Sequence, residues 1–404
     1  MHPRNRYSKG LALEKLAQVD AKLAKHLTFR HGSLQLDFQD ETAVRALTAA
    51  LLAHDFGVHC TLPPDHLCPA LPNRLNYIHW IEDVLHASHI TDVQGLDIGT
   101  GSIAIYACLA CAMHPAWTMV GTDIDPSAVA SARATIESSP SLAQRITLVE
   151  TTPHAPLFPR GKFAFCMCNP PFYASPADRQ ASASAKQEVR RKCTGHATEL
   201  YTPGGELRFV QRMMDESMQE SNRARIVWFS SMLGKLSSLH AAVAHLRCAK
   251  ITNYAVTEFM QGTTKRWAIA WSFHGARLPD TLVRSEALAK LAPRSTERTT
   301  LISANGIAAA LRECATLPKE HVDVTVLGEE HVALGLYSAC WTRGARRKRK
   351  RKEVLAQRAD PVLQVELRAQ HGKLTIRWLY GMDAVLFESL SKHLFDYLAN
   401  YSRE

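Results

Sequence analysis

Between residues 93 and 273 the chain alternates short apolar runs with segments of helical period, and this alternation limits the possible folds more than any other feature. Val93 to Ile98, Thr118 to Thr122, Ile146 to Val149, Phe163 to Cys168, Arg225 to Ser230, Tyr254 to Met260 and Trp267 to Phe273 read as strands. Ser102 to Met113, Pro126 to Ser138, Glu206 to Ser221 and Leu236 to Leu246 read as helices, with Asp125 placed to cap the second. Apolar strands separated by helices build a mostly parallel sheet covered on both faces, so an α/β, Rossmann-like domain is expected.

The flanks have a different texture. Leu11, Leu13, Leu16, Val19, Leu23 and Leu27 recur at helical spacing, so residues 11–27 read as an amphipathic helix. Ser33 to Phe38 alternates as a short strand, and residues 41–54 read as helical. Residues 60–76 hold four prolines and read as an irregular loop. Residues 174–204 are rich in Ala, Ser and charge without an apolar period, and read as a mobile loop. Residues 276–300 look like a linker. Beyond them, Ile302 to Thr316 reads as a helix, followed by strands Val322 to Leu327, Val332 to Trp341, Val362 to Ala369 and Leu374 to Tyr380, and a closing helix Asp383 to Tyr401. That order predicts a C-terminal α+β domain. The expected organisation is a basic N-terminal segment (1–60), a Rossmann-like domain (61–275), a linker (276–300) and the α+β domain (301–404).

Composition narrows the class of partner. Apolar residues are 46% of the 404, which excludes a wholly disordered chain. The longest apolar run, Ile103 to Met113, is eleven residues, too short to cross a bilayer. The first residues are not followed by an apolar core, so no signal peptide is expected, and a soluble intracellular monomer with no membrane partner is the expectation. The ten cysteines show one CxxC, Cys108 and Cys111, inside that apolar run, while Cys166 and Cys168 sit on a strand. No second pair follows at zinc spacing, so buried reduced thiols and no metal are expected. Forty-eight Lys and Arg exceed 38 Asp and Glu, a net charge of +10. Residues 1–30 hold seven Lys and Arg, and residues 343–352, RGARRKRKRK, hold eight basic side chains in ten. Such a block repels itself and reads as a solvated loop, suited to phosphate binding or to nuclear import.

Two motifs carry chemistry. Leu96 to Ser102, LDIGTGS, follows a strand and opens a helix. Its glycines allow close backbone approach, and the helix start offers unpaired N–H donors. Twenty-six residues after Asp97, the next strand ends in Asp123, an acid placed to accept from a ribose diol. Gly99, Gly101 and Ala104 also fit the dinucleotide fingerprint, so this motif alone leaves a dehydrogenase, an S-adenosylmethionine enzyme and a structural turn open. The second motif, Cys168-Asn169-Pro170-Pro171-Phe172, ends the fourth strand about 70 residues after Gly99. The Asn169 side chain and the Asn169 and Pro170 carbonyls can accept both protons of an exocyclic amine, and Phe172 can stack on its base. Together the two motifs point to methyl transfer onto an amino group.

With these residues in view, the chain resembles the U6 small nuclear RNA adenine-N(6) methyltransferases, the methyltransferase-like protein sixteen family. The matching stretches are HPRNRY (2–7), PNRLNYIHWI (72–81), LDIGTG (96–101), CNPPF (168–172), GGELRFV (204–210), SMLGK (231–235) and QGTTKRWAIAWSF (261–273). Bacterial large-subunit ribosomal RNA adenine methyltransferases share much of this core. The resemblance implies a class I S-adenosylmethionine methyltransferase fold and the donor S-adenosyl-L-methionine. It implies that Arg74 grips the donor carboxylate, that Gly99 lies beside the donor, that Asp123 holds the ribose, and that Asn169 touches donor and target amine. Asp97, Gly101 and Thr152 join this expected donor set, although Thr151 or Thr152 fits the family threonine near the adenine. Ile103 replaces a family serine, so that contact passes to Ser102 or is lost. Asn169, Pro170, Pro171 and Phe172 form the expected catalytic set. The topology of the C-terminal unit resembles the kinase-associated-1-like RNA-binding domains of some relatives.

The implied activity is methylation of adenosine N(6) in structured RNA, U6 small nuclear RNA first, in the nucleus with the cytoplasm as second compartment. Arg4, Arg6 and Lys9, and Arg346, Arg347, Lys348, Arg349, Lys350, Arg351 and Lys352 of the basic block, are the expected RNA contacts. Ribosomal RNA, a protein glutamine and a non-catalytic RNA-binding platform are the competing readings.

Overall fold

A strand whose neighbours lie on both sides and both faces must be apolar throughout, and Gln94–Ile98 (β1) is buried at every position after its first. In the computed structural model it lies within a seven-stranded sheet. The other strands are Thr118–Asp123 (β2), Ile146–Glu150 (β3), Phe163–Cys168 (β4), Ile226–Leu233 (β5), Tyr254–Gln261 (β6) and Thr264–Trp271 (β7). Their spatial order is β3-β2-β1-β4-β5-β7-β6. The first five run parallel, and β7 pairs antiparallel with β5 and β6. The chain winds outward from β1 to β3 and returns at β4, so the β1/β4 junction is the switch point where such sheets open a crevice. The structure describes residues 1–184, 195–262, 264–302, 319–342 and 360–401, with isolated residues 310, 317, 344, 345 and 347.

The chain divides into two units, Met1–Phe273 with Leu288–Leu291, and His274–Ala287 with Ala292–Glu404. In the first, the main helices are Glu41–Phe56 (α1), Leu71–Ala87 (α2), Ile105–Met113 (α3), Pro126–Glu137 (α4), Gly205–Ser217 (α5) and Leu236–Cys248 (α6). Asp125 caps α4 by accepting from Ser127 N and Ala128 N, as its position before Pro126 predicts. Large side chains fill the core under the sheet, Trp228, Trp271, Phe229 and Phe165 among them. The two indoles satisfy their N–H groups on Ser88 Oγ and Ser217 Oγ, each at 2.9 Å.

Four readings of the sequence change. The N-terminal helix over 11–27 becomes two short ones, Leu13–Val19 and Ala21–Ala24, because the Asp20 carboxylate accepts from Lys22 N and Leu23 N and starts a new helix. Leu27–Arg30 then pairs with Ser33–Leu36 across His31 and Gly32, both at positive φ. The proline-rich loop ends at residue 70, and its last proline, Pro72, stands in the first turn of α2, where a missing N–H costs nothing. Part of the 174–204 segment is helical, at Pro176–Ser184 and Ala197–Leu200. Alanine favours helix without an apolar period, so periodicity does not see it.

The second unit holds Glu297–Leu301 (β8), Val322–Gly328 (β9), His331–Leu336 (β10), Leu363–Gln370 (β11) and Lys373–Tyr380 (β12), in spatial order β8-β12-β11-β10-β9, all antiparallel. The fourth change lies here: β8 comes from the stretch read as linker, which gives five strands instead of four. It is an edge strand of polar residues, ERTTL, and edge strands carry little hydrophobic signature. Helix Ala384–Tyr401 (α7) lays Phe387, Leu390, Leu394 and Leu398 onto this sheet's core, with Phe387 stacked on Trp378 at 5.3 Å. The expected helix Ile302 to Thr316 lies outside the described residues, apart from Ile302 and Ala310. Most of the basic block does too.

Gly95 in β1 leaves no room for a methyl group, since a Cβ there would lie 2.4 Å from Met119 Sδ and from Phe165 Cζ. Gly95→Ala should lower the urea midpoint of unfolding, with a loss of about 1–3 kcal/mol and an unchanged m value.

Candidate active site

The turn after β1 is held by a shared acceptor. Gly99 N and Thr100 N both donate to Thr122 O, at 2.9 Å each, which draws the C-terminal ends of β1 and β2 together. Gly99 (φ 72°) and Gly101 (φ 70°) both occupy the left-handed region, where a side chain would be strained. Thr100 Oγ1 donates to Asp97 Oδ2 at 2.7 Å, and it fits because β2 has glycine opposite: a Cβ on Gly121 would lie 2.8 Å from it. Gly101 N donates to Asp123 Oδ2 at 2.8 Å, and Asp125 N to Oδ1 at 3.1 Å. The acid at the end of β2 is thereby aimed at the glycine turn.

Asp97 is fully buried, and its Oδ1 has no hydrogen-bond partner among the described residues. Burial pushes its carboxyl up to about 7, with the charge of Asp123 adding to the effect, while Thr100 and Arg74 pull it down. Burial likewise raises Asp123 against the hydrogen bonds it accepts.

Arg74 reaches this turn from α2, a helix buried almost all round. Its guanidinium lies over the Tyr106 ring, 5.5 Å from the centroid, and its buried Nε has no hydrogen-bond partner among the described residues. Tyr106 belongs to the apolar run of α3, so nothing in the sequence sets it apart as a site residue. A buried chain of hydroxyls supports the opposite wall. Cys168 N donates to Tyr77 Oη at 3.4 Å, Tyr77 Oη lies 2.8 Å from Ser230 Oγ, and Ser230 Oγ donates to Cys166 O at 2.7 Å.

The Asn169-Pro170-Pro171-Phe172 stretch leaves β4 at the switch point. It is backed by α5, where Glu206 is buried and accepts from Gly234 N (2.6 Å) and Lys235 N (3.0 Å). Gly234 lies against Phe172: a Cβ there would come 3.4 Å from the ring. The Arg266 guanidinium lies 6.0 Å from the Phe172 centroid. Tyr173 N donates to Leu200 O and Thr202 N to Tyr173 O, which ties this stretch to the segment around residue 200.

One cavity of about 400 Å3 gathers most of the expected residues. Arg74, Gly99, Gly101, Ser102, Asp123, Thr152, Asn169 and Pro171 all line it, as do Ile103 and Thr151. Asp97 lies behind its wall, and Pro170 and Phe172 are not among its lining residues. Sequence reasoning passed over Tyr106, Thr198, Glu199, Arg208 and Arg212, which also line it. Arg4 and Arg6 are elsewhere, docking the N-terminus. Arg4 pairs with Asp83 (2.6 Å) and Glu82 (3.0 Å), and Arg6 with Asp55 (3.5 Å) and the Phe56 ring. Of the basic block, only Arg347 falls among the described residues named for RNA.

Strand order, glycine turn, the acid ending β2 and Asn-Pro-Pro-Phe at one switch point give a Rossmann-like fold with the site layout of the methyltransferase class. The chain belongs to a family described as RNA methyltransferase, which its residues 1–275 match. It is 39% identical over 286 residues to an RNA N(6)-adenosine-methyltransferase of Danio rerio, a match covering 68% of this chain and 59% of that protein. The chain thus spans only about three-fifths of that relative's length. It is 32% identical over 373 residues to the U6 small nuclear RNA (adenine-(43)-N(6))-methyltransferase of Schizosaccharomyces pombe, covering 89% of this chain and 94% of that protein. The human Mettl16 catalytic domain, solved with the MAT2A 3'UTR hairpin 1, superposes with a TM-score of 0.61 at 37% identity, over 68% of this chain and 96% of that one.

The raised Asp97 has a consequence for stability. Between pH 3.8 and about 7 the folded chain keeps a proton that the unfolded chain has lost, so stability falls as pH rises through that window. Asp97→Asn removes this dependence while keeping an acceptor for Thr100. In thermal unfolding the variant should exceed wild type at pH 8, by roughly 2–4 °C for each kcal/mol relieved, and approach it at pH 5.

Proposed function

We propose that this chain transfers a methyl group from S-adenosyl-L-methionine to the N(6) amine of an adenosine in structured RNA, with U6 small nuclear RNA as the substrate and the nucleus as the place of action. One observation carries the reading: Arg74, Asp123 and Asn169, from three separate stretches, meet around a single cavity. The cavity's chemistry suits that donor. Arg74 offers a buried guanidinium with an orphaned Nε for a carboxylate. Both Asp123 oxygens accept one backbone N–H each and keep acceptor capacity for a ribose diol. Asp123 is the acid on the cavity wall, with Asp97 behind it. When bound, the donor supplies an activated methyl group.

The protein's part is orientation. An arylamine nitrogen is a weak nucleophile because its lone pair is delocalised into the ring. Accepting both amine protons, on the Asn169 side chain and the Pro170 carbonyl, turns the lone pair toward the methyl carbon. Phe172, braced by Gly234 and Arg266, offers the face on which the base stacks. Holding reacting atoms about 3–3.5 Å apart and in line supplies much of the acceleration, and no prior deprotonation is needed. Several features support RNA as the substrate class: the net charge of +10, the basic block, and the exposure of about half of the Arg4 and Arg6 side chains beside their anchoring pairs. Arg4, Arg6, Lys9 and the block from Arg346 to Lys352 are the proposed RNA contacts. The S. pombe similarity supports U6 over ribosomal RNA, because it reaches well past residue 275 into the second unit.

Asn169→Ala should cut turnover on a U6 hairpin at least about 100-fold, while RNA affinity by fluorescence anisotropy stays within about twofold. Full activity would remove Asn169 from the mechanism, and calorimetry showing no donor binding by wild type would leave an RNA-binding platform. Deleting Arg346 to Lys352 should flatten log affinity against log salt by about 0.7 per lost single-strand phosphate contact, with turnover at saturating RNA unchanged. An unchanged salt slope would reduce the block to an import signal.

A further inference from the structure

The loop after β3 makes one wall of the cavity, with every residue from Thr151 to Leu157 lining it. It contains Pro153 and Pro156, which have no N–H to donate, and it lies beyond the strand ladder. Two residues one turn apart on α5 hold it. Arg212 donates three ways: Nε to Glu216 Oε1 at 2.8 Å, Nη1 to Pro153 O at 2.9 Å, and Nη2 to Ala155 O at 2.6 Å. Glu216 turns its other oxygen, Oε2, to accept from Leu157 N at 2.7 Å. A half-buried i,i+4 ion pair of this kind contributes little alone. Here the pair grips two carbonyls and an amide of one loop, and the planar guanidinium fixes their spacing. The other end of the same helix, through Glu206, braces the turn beside Phe172.

We propose that Arg212 and Glu216 are positioning residues that set the wall of the donor's nucleoside slot. This rests on the donor assignment made above. The pair fixes where the 151–157 loop stands as a wall of the cavity.

The same fold contains a built-in comparison. Arg225 grips the next part of the loop by the same chemistry, donating to Phe158 O and Gly161 O at 3.0 Å each, and also to Pro159 O. Residues 158–161 do not line the cavity. A merely structural arginine clamp would behave alike at both places.

The test is calorimetric titration of the full chain with S-adenosylhomocysteine, alongside hydrogen exchange of the loop and steady-state kinetics. Arg212→Ala should weaken binding about tenfold or more and raise the donor KM similarly, with kcat and RNA affinity within about threefold. Arg212→Lys, which can still reach one carbonyl and Glu216, should recover part of the loss. Arg225→Ala should speed exchange over 158–161 and leave donor affinity unchanged. Equal donor affinity in wild type and Arg212→Ala would overturn the inference. So would equal weakening by Arg212→Ala and Arg225→Ala, which would make the effect one of general loop stability. If wild type itself failed to bind S-adenosylhomocysteine, the donor assignment would fall, and this inference with it.

Discussion

A single carbonyl, that of Thr122, accepts from both Gly99 and Thr100, and the site depends on that junction. It pulls two parallel strands together at their C-terminal ends, where the sheet would otherwise splay. Once the turn is closed, Gly101 N donates to Asp123 and the short Thr100 hydroxyl to Asp97, so residues of the turn itself hold both carboxylates. The arrangement tolerates only small residues: Gly121 makes room for Thr100, and Gly95 lets β1 fit between Met119 and Phe165. Burial raises both carboxyls, and the charge of Asp123 raises Asp97 further.

The second constraint is α2. A helix buried on nearly every face normally carries only apolar residues, yet this one buries Asn73, Arg74, Asn76, His79 and Glu82. Three of these have a clear role. Asn76 Oδ1 accepts from His2 N and Asn5 Nδ2, and so receives the N-terminal residues. Glu82 takes hydrogen bonds from His114 and His79 that hold its carboxyl down at about 2, although burial pushes it up. Arg74 alone points into the cavity. The helix therefore seats the N-terminal segment on one side and offers a cationic group to the site on the other. Arg4 and Arg6 serve as anchors in this arrangement.

Helix α5 joins the two halves of the chemistry. Its first turn carries Glu206, which supports the wall behind Phe172, and its last two turns carry Arg212 and Glu216, which hold the loop facing the donor side. Thirteen residues of rigid rod thus span from acceptor side to donor side.

The succession of strands and helices along the chain, the glycine turn with its acid, and Asn-Pro-Pro-Phe could be read directly from the residues, because each depends on local conformation: period, φ, and the rigidity of proline. Phe163 to Cys168 matched at both ends, whereas the strand read as Val332 to Trp341 stops at Leu336, before a turn in which Thr342 N donates to Ala339 O. The same local reasoning missed α2, since four prolines suggested a loop and the polar residues masked its burial. It missed β8, whose polar sequence becomes a strand only because β12 presents an open edge beside it. It could not find Tyr106 or Arg212, which look like an ordinary core tyrosine and an ordinary surface arginine. Their roles arise where α3 lies under Arg74 and where α5 meets the 151–157 loop, contacts between elements 32 and about 57 residues apart. Sequence periodicity records what a residue does for its own element, and only packing between elements decides what it does for the site.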